Sequence, residues 1–300
     1  MDLKPAVFLL VQILIGLLGN FSLIIHYTFL HFCGGNSRST DLILRHLVLA
    51  NTLAILSKGV PRTMQTFGVA HHFSDVGCKL LFYFERVSRG VSIGTTCLLS
   101  VFQAITISPL HSRWAVLKLK ALKYIGPSNI LCWILHMLVN AVFPIYTSSK
   151  WNNSTIVSRN GLQYCSKHDD SVTFSLYMTL IFSHDVLCLG FMSWASGSMV
   201  FVLCKHKQQV QHIYNNLSPR FFAETRATKI ILPLVAFYVS FYALSSFMST
   251  FLAHLGLSSW WLVNTSAFMS MCFPTVSPFV LMSTDSRVSR LCATCFKITT

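Results

Sequence analysis

Apolar residues in this chain are gathered into long blocks divided by short polar segments, without the sustained alternation of half-buried strands. Seven blocks stand out, at 6–27, 43–64, 78–107, 124–146, 174–203, 230–255 and 260–282. Each reaches the about 20 residues that a helix needs to cross the hydrocarbon of a bilayer. Loop and helix-stopping residues fall between them: Gly34, Gly35 and Asn36 after the first block, Pro109 after the third. The pattern predicts an all-α membrane protein, one domain built as a bundle of seven transmembrane helices, with 283–300 as a short tail.

The third block, Cys78 to Ile107, differs from a plain membrane helix because Glu85, Arg86 and Arg89 lie inside it. Wound at about 100° per residue, Cys78, Glu85, Arg89, Ser92, Thr96 and Gln103 form one stripe. Leu80, Val87, Val91, Leu98, Phe102 and Ile105 fall on the opposite side. A charge in hydrocarbon is costly, so the polar stripe has to meet other helices or a watery cavity. This helix is therefore expected to be the central post of the bundle.

Composition agrees. Of 300 residues, 53% are hydrophobic and 11% charged, and the mean hydropathy is +0.58. A soluble core cannot enclose that much apolar surface. The net charge of +14 is compatible with nucleic-acid binding, but the basic residues are scattered in short segments between blocks and form no single patch. The first block resembles a secretory signal, yet its apolar run continues through Ile25, so it is read as an uncleaved first span.

Basic residues also set the orientation. With the N-terminus outside, the cytoplasmic segments receive Arg38, the cluster Arg113, Lys118, Lys120 and Lys123, then Lys205, Lys207, Arg220, Arg226 and Lys229, and tail residues such as Arg287. The outer segments keep Lys4, Lys79, Lys150, Arg159 and Lys167, with Arg62 at the membrane edge. The excess of Lys and Arg belongs on the cytoplasmic side, so the N-terminus is expected to be extracellular and the C-terminus cytoplasmic. The same clusters suit anionic membrane lipids. Asn152 and Asn153 begin acceptor tripeptides for glycosylation in what becomes an outer loop. The tripeptide also occurs at Asn20, Asn216 and Asn264, which this topology buries or places inside. Cys78 and Cys165 are the only cysteines assigned to the oxidising side and are expected to form a disulfide, two free thiols being the alternative. Cys292 and Cys295 in the tail suit either palmitoylation or free thiols.

The runs GNFSLIIHY (Gly19 to Tyr27), STDLILRHLVLANTLAILSKGVP (Ser39 to Pro61), RVSRGVSIGTTCLLSVFQAITISP (Arg86 to Pro109), WASGSMVFVL (Trp194 to Leu203) and FPTVSPFVLMS (Phe273 to Ser283) resemble the vomeronasal type-1 receptors across essentially the whole chain. That resemblance implies a chemosensory G-protein-coupled receptor in the plasma membrane of chemosensory neurons. It further implies a small pheromone-like ligand held in the outer half of the bundle and a heterotrimeric G protein, of the inhibitory type, on the inside. Rhodopsin-like signatures are missing: Asn51 stands where Asp is usual, and Phe102, Gln103 and Ala104 replace the Asp-Arg-Tyr set. The seventh block has no lysine to anchor retinal. Pro233 interrupts the sixth block, where the family suggests an aliphatic residue.

Within that frame the ligand candidates are Glu85, Arg86, Arg89, Asp185, Tyr238, Phe241 and Tyr242. Each has a plainer reading. Glu85 and Arg89 can pair along one helix, Asp185 can pair with a neighbouring helix, and the stripe Phe237, Tyr238, Phe241 and Tyr242 can be packing. Asn51, Lys58 and Asn264 are assigned to interhelical hydrogen-bond networks. Gln103, Arg113, Lys118, Lys120, Lys205 and Lys207 are the candidates to meet the G protein. No phosphate-binding loop, metal-spaced Cys/His set or catalytic triad can be defended, so neither an enzyme nor a cofactor or metal is expected. The competing readings are a bitter-taste-type receptor and a small membrane transporter; the latter lacks a visible inverted repeat.

Overall fold

A computed structural model describes residues 3–32, 39–67, 74–107, 113–141, 172–211, 235–241 and 260–284, with short pieces at 144, 147–149, 165–167 and 244–245. In chain order the elements are α1 (Leu3–Phe32), α2 (Ser39–Ala54), a π-turn (Ile55–Gly59), α3 (Val60–Thr66), α4 (Asp75–Ile107), α5 (Arg113–Asn140), β1 (Thr147–Ser149), β2 (Cys165–Lys167), α6 (Val172–Gln211) and α7 (Trp260–Thr284). Among the described residues six helical stretches are long and apolar enough to cross a bilayer, and α2, the π-turn and α3 count as one of them. The sixth block expected from sequence lies mostly outside the described residues, with 235–241 helical.

The π-turn has a local cause. Pro61 offers no N–H to the Ser57 carbonyl four residues back, and its ring crowds that oxygen. Widening the turn by one residue relieves the conflict and rotates α2 against α3. Gly59 makes the bend compatible with close packing, since a Cβ there would lie 2.8 Å from the Ile13 side chain of α1.

α4 is the post that its polar stripe implies. In its most apolar window 67% of residues are buried, against 17% in α5, which turns most of its surface outward. It packs against α2, α5 and α6, while α1 packs against α2 and α7. Leu23, Leu47, Ile93, Leu99, Met192 and Met199 form the centre of the main apolar core. Two small residues allow α5 close to α4: a Cβ on Gly94 would meet Cys132 Sγ at 2.6 Å, and one on Gly90 would run into the His136 ring.

Several helices run past the apolar blocks, α1 at both ends and α6 through Gln211, and α5 differs most from the sequence expectation. α5 begins at Arg113, so the basic cluster read as a loop is helical and continuous with the span, which ends at Asn140, short of 146. Nothing in Lys118, Lys120 or Lys123 opposes a helix, since lysine is a good helix former. The polar segment after it contains a short antiparallel hairpin in which Thr147 pairs with Lys167, Ser148 with Ser166 and Ser149 with Cys165, and β1 rests on α4.

Candidate ligand cavity

Where α2, α4, α7 and the helical residues 235–241 meet, they enclose a cavity of about 60 Å³. At about 10–15 Å³ per water this is room for roughly four waters or a small organic group. Its polar wall is Lys58, Glu85, Arg89, Ser92, Ser245 and Ser270. Its apolar wall includes Tyr238, Phe241, Met271, Phe273 and Pro274. Glu85, Arg89 and Ser92 arrive together because they follow one another at helical spacing on α4.

Glu85 reaches across to α2: Lys58 Nζ and Glu85 Oε1 are 3.1 Å apart, both side chains about a quarter exposed. Lys58 belongs to the π-turn, so the backbone irregularity and the cationic wall of the cavity are one feature. Below them the Ser92 hydroxyl donates to Asn51 Oδ1 at 2.9 Å, and Asn51 Nδ2 donates to Ser277 Oγ at 2.9 Å. This chain ties α4, α2 and α7 at fully or nearly fully buried positions. Arg62, two residues from the end of its span, is buried, and its Nε–H donates to Asn264 Oδ1 of α7 at 3.0 Å. The networks expected of Asn51 and Asn264 are present, and Lys58 adds the cavity to its interhelical contact.

The aromatic wall is ordered by ring geometry. Tyr238 meets Phe273 edge-on with centroids 4.4 Å apart at 78°, and Phe237 stacks on Phe241 at 6.1 Å. Of the sequence-predicted stripe, Tyr238 and Phe241 line the cavity; Phe237 is 40% exposed and is not part of its described lining, and Tyr242 lies outside the described residues.

Asp185 stands apart from the cavity. It is buried on α6 beside His184, whose Nδ1 is 3.4 Å from its Oδ1, and the His184 ring meets His136 of α5 edge-on at 4.9 Å. Cys188 Sγ lies 3.5 Å from His184 Nε2. Among the described residues no group of three metal-capable side chains is placed to hold an ion. Arg86 is half-buried on α4 outside the described cavity lining.

Of the remaining sequence candidates, Gln103 is buried within the bundle, Lys118 is half-buried, and Lys120 and Lys205 are exposed. Arg113 and Lys207 fall on α5 and α6 with side chains outside the described set. Cys78 is fully buried at the start of α4 and disulfide-bonded, and Cys165 sits in β2. Asn152 and Asn153 lie outside the described residues.

Six helices long and apolar enough to span a bilayer among the described residues, gathered around a polar post with a cavity between them walled by charges and aromatic rings, define a multi-pass helical membrane protein. The chain matches the vomeronasal organ pheromone receptor family over residues 4–294, and belongs to that family. It is 57% identical to vomeronasal type-1 receptor 2 of Homo sapiens over 295 residues, which are 98% of this chain and 74% of that one. It is 53% identical to vomeronasal type-1 receptor 4 of Homo sapiens over 286 residues, 95% of each chain. A more distant relative, olfactory receptor class A-like protein 1 of Danio rerio, is 27% identical over 289 residues, 95% of this chain and 91% of that one.

Proposed function

We propose that the chain is a plasma-membrane chemosensory receptor of seven spans, N-terminus outside, that takes a small pheromone-like molecule into the cavity between α2, α4, α7 and residues 235–241. The observation that carries this is the cavity itself, because four sequence-chosen residues, Glu85 and Arg89 on α4 and Tyr238 and Phe241 on the helical residues 235–241, converge on it from two elements. A concave, mostly apolar site with a few convergent polar groups is the form small-molecule sites take.

Binding favours one of two helix arrangements by touching both sides of the α2–α4 and α4–α7 contacts. Ser92 belongs both to the cavity wall and to the Asn51–Ser277 chain, so a ligand against Ser92 acts directly on the junction of three helices. On the inside, Lys118, Lys120 and Lys205, with Arg113 and Lys207, meet a heterotrimeric G protein of the inhibitory type. Gln103 is buried and joins that surface only when the helices part. Outside, the partner of Cys78 is Cys165, which pins the hairpin to the top of α4, and Asn152 or Asn153 carries glycan.

The test is G-protein signalling in cells expressing the wild type and Ser270→Trp, challenged with volatile and steroid-like panels at matched surface display. Ser270 lines the cavity, and an indole there occupies it. Loss of the response in the variant is expected. An undiminished response removes the cavity from the ligand's path.

A further inference from the structure

A second gathering of reactive side chains lies between α4, α5 and α6. Cys97 of α4, Cys132 of α5 and Cys188 of α6 are free thiols at half-buried positions, outside the described cavity lining. Cys97 and Cys188 meet through their thiols where α4 packs along α6, and both rest on the main apolar core. Cys132 stands on the α5 side of α4, with its Sγ 2.6 Å from where a Cβ on Gly94 would lie.

Cys188 also has a base. His184, one turn earlier on α6, brings Nε2 to 3.5 Å from Cys188 Sγ, and its Nδ1 is 3.4 Å from Asp185 Oδ1. With Nδ1–H given to that carboxylate, Nε2 is left to accept the thiol proton. Nucleophile, base and orienting group thus follow one another, the arrangement of an activated cysteine. A thiol becomes nucleophilic by losing its proton, and a neighbouring thiol can resolve its oxidised form as a disulfide.

We propose that Cys188 and Cys97 form a peroxide-reactive thiol pair whose product is a disulfide between α6 and α4. Cys188 attacks one oxygen of hydrogen peroxide and the O–O bond breaks. The thiol proton, taken up by His184, leaves with the other oxygen as water, and Cys188 becomes a sulfenic acid. The Cys97 sulfur then attacks the Cys188 sulfur, the S–O bond breaks, and the hydroxyl leaves as water with the Cys97 proton. Two thiols are oxidised to one disulfide, and one peroxide is reduced to two waters. The bond ties the central post to α6, and the inference does not depend on what occupies the cavity.

The experiment exposes membranes of cells displaying the receptor to hydrogen peroxide, caps the remaining thiols with N-ethylmaleimide and reads unreduced peptides by mass spectrometry. The wild type yields a peptide pair joined through Cys97 and Cys188, which dithiothreitol separates. Cys97→Ser halts the reaction at the sulfenic acid, captured on Cys188 by dimedone, and Cys188→Ser yields neither product. His184→Gln slows the loss of the free Cys188 thiol by about tenfold or more. Cys132→Ser forms the bridge at the wild-type rate. The wild-type peptide decides the pairing even where a variant fails to fold. Absence of the joined peptide from oxidised wild type, a bridge through Cys132 in its place, or a His184→Gln rate equal to that of wild type overturns the proposal.

Discussion

Asn20 of α1 donates from Nδ2 to the carbonyl of Pro274 in α7 at 2.9 Å, an acceptor that Pro278, four residues on, cannot satisfy because it has no N–H. The same amide nitrogen reaches the Gly16 carbonyl at 2.7 Å. A helix whose hydrogen-bond ladder two internal prolines interrupt is thus completed by its neighbour, and this buried side chain fixes α1 against α7.

Asn20→Ala is therefore expected to strip a buried carbonyl of its donor and cost about 1–3 kcal/mol. Melting of the detergent-purified protein would fall accordingly. Restoring a helical donor with Pro278→Ala in the same chain should shrink the loss. Equal losses with and without Pro278→Ala would show that the carbonyl is not what Asn20 serves.

The Ser92, Asn51 and Ser277 chain predicts non-additivity. Each bond is 2.9 Å, and Asn51 is the member shared by both. Ser92→Ala and Asn51→Ala should each destabilise, and the double variant by less than their sum, with a coupling of at least about 0.5 kcal/mol. A strictly additive thermal-stability cycle would dissolve the network into independent contacts.

Much of this is readable from periodicity, because a 3.6-residue repeat says which residues share a helix face. The stripe on the third block puts Glu85, Arg89 and Ser92 together, and all three line the cavity. It cannot say what stands opposite them. The Lys58–Glu85 pair joins two helices whose relative rotation depends on packing, and the π-turn shifts that rotation where Pro61 is the only visible sign. Arg62 shows the same limit: its place near the end of a span is readable from sequence, but its buried partner Asn264 on another helix is not. Asp185 does need a partner, as its place inside a span implies, but its neighbour His184 and the facing His136 draw it away from the cavity.

The contact between α4 and α5 yields a steric prediction. Gly90 leaves room for the His136 ring, which a Cβ would enter. Gly90→Ala should cost about 1–3 kcal/mol as an overpacked site. Adding His136→Ser, which withdraws the ring, should recover part of it. The check is the midpoint of thermal unfolding of the two variants; if Gly90→Ala melts with the wild type, the helices are not as close as this contact requires.

Phe241 is part of the aromatic wall of the cavity. Its ring is half-buried in the lining and stacks on Phe237, while Tyr238 beside it is fixed edge-on to Phe273. Removing the ring by Phe241→Ala leaves space that a larger ligand can fill and a small one cannot, and even one methylene gained or lost in an apolar pocket is worth about 1–3 kcal/mol in discrimination. The size preference measured by signalling should thus move toward bulkier agonists by about tenfold or more. Small agonists should lose potency at unchanged surface display. Phe279→Ala, an exposed position on α7 outside the described lining, should leave the preference where it is. A Phe241→Ala receptor that weakens toward all sizes equally would mean that the ring supports the helix and does not bound the ligand.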